Sequence, residues 1–282
     1  MKILFYIFGF PIYFFGAMIS LGVLSGIFIS YLEAKRKKLD VDRILDLAIF
    51  GIISAVVGAR LFYVMFYDLS YYLQNLTDII LISEGGLSIH GGLIGAFIYG
   101  LFYFRKHKLS FLKYADAIVP GIILGQGIGR VGCDVFGKVM SQSLPWGIVR
   151  QGQLLHPTQL YEFVLNYIVF LILWRKRKSI RYNGQLFVWY LILFSVNRGV
   201  VELYRNNPSV IGWFSISHLL SLFILITAAI ILIFLKKNRS VYLVDTIEYE
   251  KIDTRTSDWV KDILIIIALI TVSVLIFYTV QT

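Results

Sequence analysis

The sequence predicts an all-α fold, a polytopic bundle of about eight transmembrane helices, and three observations carry that expectation. First, 58% of the 282 residues are hydrophobic and only 16% are charged, with a mean hydropathy of +0.75. That is too little polar surface to keep a soluble domain of this length dispersed. Second, apolar runs of about 20 residues, long enough to cross a hydrocarbon core, recur along the chain. Third, the basic residues fall in short clusters between alternate runs, the mark of connections held on the cytoplasmic side.

Taken in order, spans are expected at residues 11–32, 43–67, 87–104, 116–133, 158–174, 185–204, 212–235 and 262–280, with Met1–Phe10 lying along the interface before the first. The connection after the first span holds Lys35, Arg36, Lys37, Lys38 and Arg43, and that after the third holds Arg105, Lys106, Lys108 and Lys113. Arg175, Lys176, Arg177, Lys178 and Arg181 follow the fifth; Lys236, Lys237, Arg239, Lys251, Arg255 and Lys261 follow the seventh. These four connections hold most of the 27 Lys and Arg, so they are expected inside, with both termini outside. Lys2 is the lone basic residue before the first run and no small-residue cleavage site follows it, a pattern of a retained helix rather than a cleaved leader.

The remaining connections differ in kind. Residues 68–86 carry Asp68, Asp78 and Glu84 without Lys or Arg, and residues 134–157 are rich in Gly, Pro and Gln, with Pro145–Trp146 suited to a membrane interface. Residues 240–260 are polar and acidic. The expected organisation is a membrane domain over 1–238, a cytoplasmic linker over 239–261 and an additional helix over 262–282.

A net charge of +10 raises nucleic acid as a partner, but the clusters lack the aromatic interleaving of a nucleic-acid groove, and membrane topology explains them. Cys133 is the only cysteine, which excludes an intrachain disulfide and a cysteine-based metal cluster. The inverted repeats and midplane charges of many transporters are absent as well.

The ionisable residues inside the spans gather toward the non-cytoplasmic face. Arg60 lies in the outward half of the second span, His90 one turn inside the third, and Arg130 near the outer end of the fourth with Asp134 just beyond. His156 and Glu162 flank the start of the fifth, and Arg198, Glu202 and Arg205 occupy the outer part of the sixth. Charges at membrane depth are costly and face a bundle interior or cavity, where they mark function. Arg198 and Glu202 stand at i, i+4, and Glu202 and Arg205 at i, i+3, so the three share a helix face. Arginine forks match phosphate oxygens bidentately, so Arg130 and Arg198 on separate helices suit an anion at the depth of lipid phosphates. His90 is a residue type that accepts a proton near neutral pH. Gly121, Gly125, Gly127, Gly129 and Gly132 suit close approach, more often of another helix than of a head group. His107 reads as a solvated loop residue, and His218 is given no chemistry.

These motifs together resemble the prolipoprotein diacylglyceryl transferases. The resemblance is carried by Gly58–Ala59–Arg60–Leu61, Ser88–Ile89–His90–Gly91–Gly92–Leu93 and Gly129–Arg130–Val131–Gly132. It continues through His156–Pro157–Thr158–Gln159–Leu160–Tyr161–Glu162 and Arg198–Gly199–Val200–Val201–Glu202–Leu203–Tyr204–Arg205, covering roughly residues 10–235. It implies seven family-like spans, with the eighth an extra C-terminal helix, in a bacterial inner membrane. It implies transfer of the diacylglyceryl group of phosphatidylglycerol to the lipobox cysteine of prolipoprotein signal peptides, with glycerol phosphate leaving and no cofactor or metal required. On that basis His90 is expected to act as base or proton relay, and Arg130 and Arg198 to hold the phosphate. Glu202 would orient Arg198, His156 and Glu162 would shape the acceptor side, and Arg60 and Arg205 would contribute to substrate binding. The chain departs from the family pattern at Cys133 and Lys138, where asparagine and glutamate are expected, and at Phe15, where tyrosine is expected. Those departures keep two other readings open: a diverged paralogue with another acceptor, and a non-catalytic lipid-binding membrane protein.

Overall fold

In hydrocarbon every backbone polar group must be bonded within its own segment, so long apolar runs become helices. The computed structural model describes residues 2–67, 69–81, 85–212, 214–238 and 256–281. Asp68, Glu84 and residues 239–255, the bulk of the expected cytoplasmic linker, lie outside the described residues. The long helices are α1 (Phe14–Arg36), α2 (Val41–Phe66), α4 (Ile89–Lys106), α5 (Phe111–Val131), α6 (Thr158–Lys176), α7 (Gln185–Glu202), α8 (Ile216–Lys237) and α9 (Thr256–Gln281). A short α3 (Leu69–Gln74) and a 3₁₀ turn (Leu76–Ile79) follow α2. By length and composition, four described segments are apolar enough to cross a membrane: Phe14–Arg36, Val41–Phe66, Ile216–Lys237 and Trp259–Val280. Between them, α5–α7 carry polar residues such as Gln126, Arg130, Glu162, Asn166, Asn197 and Arg198, which lower their mean hydropathy. The chain is a multi-pass helical membrane protein.

The all-α expectation needs one correction. Three small antiparallel hairpins are present: β1 (Ile3–Ile7) with β2 (Phe10–Tyr13), β3 (Ile148–Arg150) with β4 (Gln153–Leu155), and β5 (Ser209–Ile211) with β6 (Phe214–Ser215). The first is formed by the residues expected along the interface, with the start of the expected first span. Two of them close through two-residue turns with positive φ at both positions, Phe8 (48°) and Gly9 (84°), and Gln151 (50°) and Gly152 (75°), which matches strand twist.

The chain forms two compact units, residues 39–114 and the remainder. In the larger one, α1 and α5 meet glycine to glycine. A Cβ on Gly22 would lie 2.5 Å from the Gly125 carbonyl oxygen, and one on Gly121 would lie 2.2 Å from that of Gly26. This small-residue contact assigns Gly121 and Gly125 to helix packing. The buried core runs from Phe14 through Val119 and Ile123 to Phe163, Tyr167, Leu186 and Phe277. Lipid-type packing shows on α8, whose buried residues Ser221, Ala228 and Leu235 form one stripe seven residues apart while Phe223, Ile230 and Ile233 are exposed.

Helix ends are held by specific groups. Asp116 on α5, wholly buried, accepts the amides of Gly184 and Phe187 (both 2.8 Å) and so caps α7, with Lys37 at 3.8 Å as its counter-ion. Ser215 and His218 form a capping box at the start of α8. In the smaller unit, α2 and α4 pack through Gly58, Gly91 and Gly95, where a Cβ on Gly91 would lie 2.3 Å from the Gly58 oxygen and from the Phe62 Cβ.

Candidate functional site

Arg130 closes α5, Glu162 lies one turn into α6, and Arg198 and Glu202 occupy the last turn and a half of α7, with Arg205 just past its end. These ends converge on Glu162, whose side chain is only 7% exposed. Arg130 Nε lies 3.0 Å from its Oε1, while Arg198 Nη1 (3.4 Å) and Arg205 Nη1 (3.9 Å) both approach Oε2. Glu202, almost wholly buried, faces Arg198 Nη2 at 3.4 Å and Arg205 Nε at 3.7 Å through Oε2. Its Oε1 accepts from Asn207 Nδ2 (2.6 Å) and Ser215 Oγ (2.5 Å), so the carboxylate is pinned from the β5–β6 side. Arg198 Nη2 also donates to Ser217 Oγ at 3.2 Å.

Three guanidiniums therefore share two carboxylates, which leaves one uncompensated positive charge. Arg130 donates otherwise only toward Cys133 Sγ (3.6 Å), so its Nη2 has no protein acceptor among the described residues. An excess positive charge on guanidinium forks is complementary to an anion.

A strap beside the cluster joins three segments. Gly137 N donates to the His156 carbonyl and Lys138 N to that of Tyr204, both at 2.8 Å, and His156 N returns a bond to Lys138 O at 3.0 Å. No side chain fits at Gly137, where a Cβ would lie 2.2 Å from the Tyr204 oxygen. His156 Nδ1 is 3.0 Å from Tyr161 OH, which also accepts from Trp146 Nε1 at 3.0 Å.

A profile of the prolipoprotein diacylglyceryl transferases matches residues 2–234. The chain belongs to that family. Among its relatives, one from Clostridioides difficile is 36% identical over 242 residues, covering 85% of this chain and 97% of that protein. One from Finegoldia magna is 38% identical over 241 residues (84% and 96%), and one from Bacillus mycoides 37% identical over 247 residues (81% and 89%). All three are named phosphatidylglycerol–prolipoprotein diacylglyceryl transferase.

Within this family member the structure gathers Arg130, Glu162, Arg198, Glu202 and Arg205 into one ion cluster, with His156 on the adjoining strap. Glu162 stands at the centre of the arginines rather than apart from them. Arg60 and His90 belong to the smaller unit. Arg60 does not offer the free donors expected of a substrate-binding residue. Its five N–H groups go to the carbonyls of Asp78, Ile79, Leu81, Gly85 and Gly86, and its guanidinium stacks 5.2 Å from the Tyr72 ring. His90, in the first turn of α4, is exposed, with the Phe62 ring 6.3 Å away. At the positions that depart from the family pattern, Cys133 contacts Arg130, and Lys138 Nζ caps the end of α7 by donating to Leu203 O at 3.1 Å. Sequence reasoning missed Asn207, Ser215 and Ser217. Small neutral side chains raise no charge or hydropathy signal.

Proposed function

We propose that this chain transfers the diacylglyceryl group of phosphatidylglycerol to the lipobox cysteine of prolipoprotein signal peptides. It does so in the bacterial plasma membrane, with seven family-like spans, α9 as an eighth, and both termini outside. The lipobox thiolate attacks the glycerol carbon that bears the phosphate ester. A carbon–sulfur bond forms, the carbon–oxygen bond breaks, and glycerol phosphate leaves with the electron pair. The phosphodiester enters with one negative charge and departs with more, so a fixed cationic site favours the transition state over the bound lipid.

In this reading Arg130 and Arg198 hold the phosphate, and Glu202, fixed by Ser215 and Asn207, orients Arg198. Glu162 keeps three mutually repelling guanidiniums together and Arg205 adds to the field. His156 shapes the acceptor side. His90 takes the thiol proton, a role argued from its residue type and motif. Arg60 contributes by bracing residues 78–81 and 85–86. No cofactor enters the reaction.

The observation that supports this reading most is the excess of one positive charge in a cluster of partly buried arginines, which matches a phosphodiester monoanion. The test is turnover of a lipobox peptide by purified protein in phosphatidylglycerol vesicles. His90→Ala, Arg130→Ala and Arg198→Ala should each cost about 100-fold or more; a variant with normal turnover removes its residue from the mechanism. The departures at Cys133 and Lys138 favour, as a second reading, a paralogue with another acceptor. Failure of the well-expressed chain to rescue cells depleted of their own transferase would select it.

A further inference from the structure

The helix α9 lies beyond the residues that match the family, and it packs along α6 with contacts of several kinds. Asp262 pairs with Arg175 Nη1 at 2.7 Å, and Trp259 lies under the same guanidinium at 4.2 Å. Further along, Ser273 Oγ and Tyr167 OH are 2.9 Å apart, and Phe277 is fully buried against Phe163. At the last of these contacts Tyr278 OH donates to the main-chain carbonyl of Trp146 at 2.7 Å. That bond reaches the loop that closes onto His156.

The chain of bonds has a direction. An indole N–H can only donate, so Trp146 Nε1–H gives to Tyr161 OH, whose oxygen lies 3.0 Å from His156 Nδ1. The His156 ring packs against those of Tyr161 and Tyr204, with centroids 6.0 and 5.0 Å away. Everything in the chain except its first link comes from the family-matched region. The first link, Tyr278, comes from α9. An exposed Trp146 on an irregular loop has little else to fix its carbonyl, and ordering such a loop costs backbone entropy that a packed helix can offset.

We propose that α9 braces the acceptor-side loop of this transferase and that Tyr278 is a positioning residue, acting on His156 through Trp146 and Tyr161. The proposal rests on the functional reading above for its effect on turnover, but not for the brace itself. Tyr278→Phe removes one hydroxyl and keeps the ring, so folding is preserved. Hydrogen–deuterium exchange should show residues 141–152 exchanging about fivefold faster, the worth of one hydrogen bond, with α6 unchanged. Ser273→Ala, which also loosens α9 but leaves the Tyr278 bond, should not alter that loop.

In the vesicle assay Tyr278→Phe should lower kcat/KM for the peptide about threefold to tenfold, with KM for phosphatidylglycerol unchanged. Combined with Tyr161→Phe, its effect should not add, because both cut one chain. Unchanged exchange in the loop overturns the brace. Faster exchange with unchanged turnover, or full additivity with Tyr161→Phe, overturns the positioning role. An inactive unmodified chain would refute the transferase reading, and the exchange measurement would still decide whether α9 holds the loop.

Discussion

Replacing Arg198 with lysine keeps the charge and removes the fork, and the structure says what that fork does. Two of its nitrogens reach different carboxylates, Nη1 to Glu162 and Nη2 to Glu202, each at 3.4 Å, and Nη2 also serves Ser217. A single ammonium can keep one carboxylate but not both. A hydrogen bond to a charged group is worth about 1.5–3 kcal/mol, and at this length the lower figure applies. Loss of one such contact costs about 1.5 kcal/mol, and loss of the Ser217 bond as well brings the total to about 2.5 kcal/mol. The arginine side chain is 19% exposed, so solvent screening takes little from these values. If the fork acts in the transition state, kcat falls by roughly 10- to 70-fold at about 1.4 kcal/mol per decade, with little change in KM. The assay is single-turnover transfer to a labelled lipobox peptide in phosphatidylglycerol vesicles, normalised to monodisperse protein. A lysine variant within twofold of the unmodified kcat would refute the argument, since charge alone would then suffice.

Two further substitutions separate structure from chemistry. Arg60→Lys should lower stability in detergent by about 3 kcal/mol, because several of the carbonyls it serves lose their donors at once, while turnover per folded molecule stays within about threefold; an unchanged thermal transition with collapsed turnover would make Arg60 a substrate ligand after all. Asp116→Asn should cost about 3 kcal/mol or more by stranding the buried Lys37 ammonium, and pairing it with Lys37→Met should restore part of the loss, as read by thermal unfolding.

Helix placement was legible because hydropathy acts over whole segments. The long helices occupy the residues where the apolar runs lie, and four of them are apolar enough to cross a membrane on composition alone. At the end of α7 the i, i+4 and i, i+3 spacing already put Arg198, Glu202 and Arg205 on one side, and their ion pairs have that pattern. Contacts between helices were harder to read. Nothing in the one-dimensional pattern says that Glu162 stands between Arg130 and Arg198, or that Ser215, well past the end of α7, buttresses Glu202. The glycines of α5 pointed to packing more than to a ligand, and Gly22 and Gly26 of α1 supply the partner. The hairpins went unseen because their turns use Phe8–Gly9 and Gln151–Gly152, without the asparagine or aspartate that advertises such a turn.

What separates a working arginine from a structural one is where its donors go. Arg60 spends all five on backbone carbonyls. Arg177 gives Nε to the Trp174 carbonyl, and Arg36 reaches that of Arg177, while both pair with the buried Glu33. Each of these satisfies a carbonyl at a helix end or a turn, a need that persists whether or not a ligand is present. Arg130, Arg198 and Arg205 donate to no backbone carbonyl among the described residues; their partners are two carboxylates, a hydroxyl and a thiol. An arriving phosphate can add to or replace such partners without unmaking secondary structure. In the proposed mechanism the guanidiniums that rest on Glu162 and Glu202 exchange those partners for the leaving phosphate without unmaking a helix end.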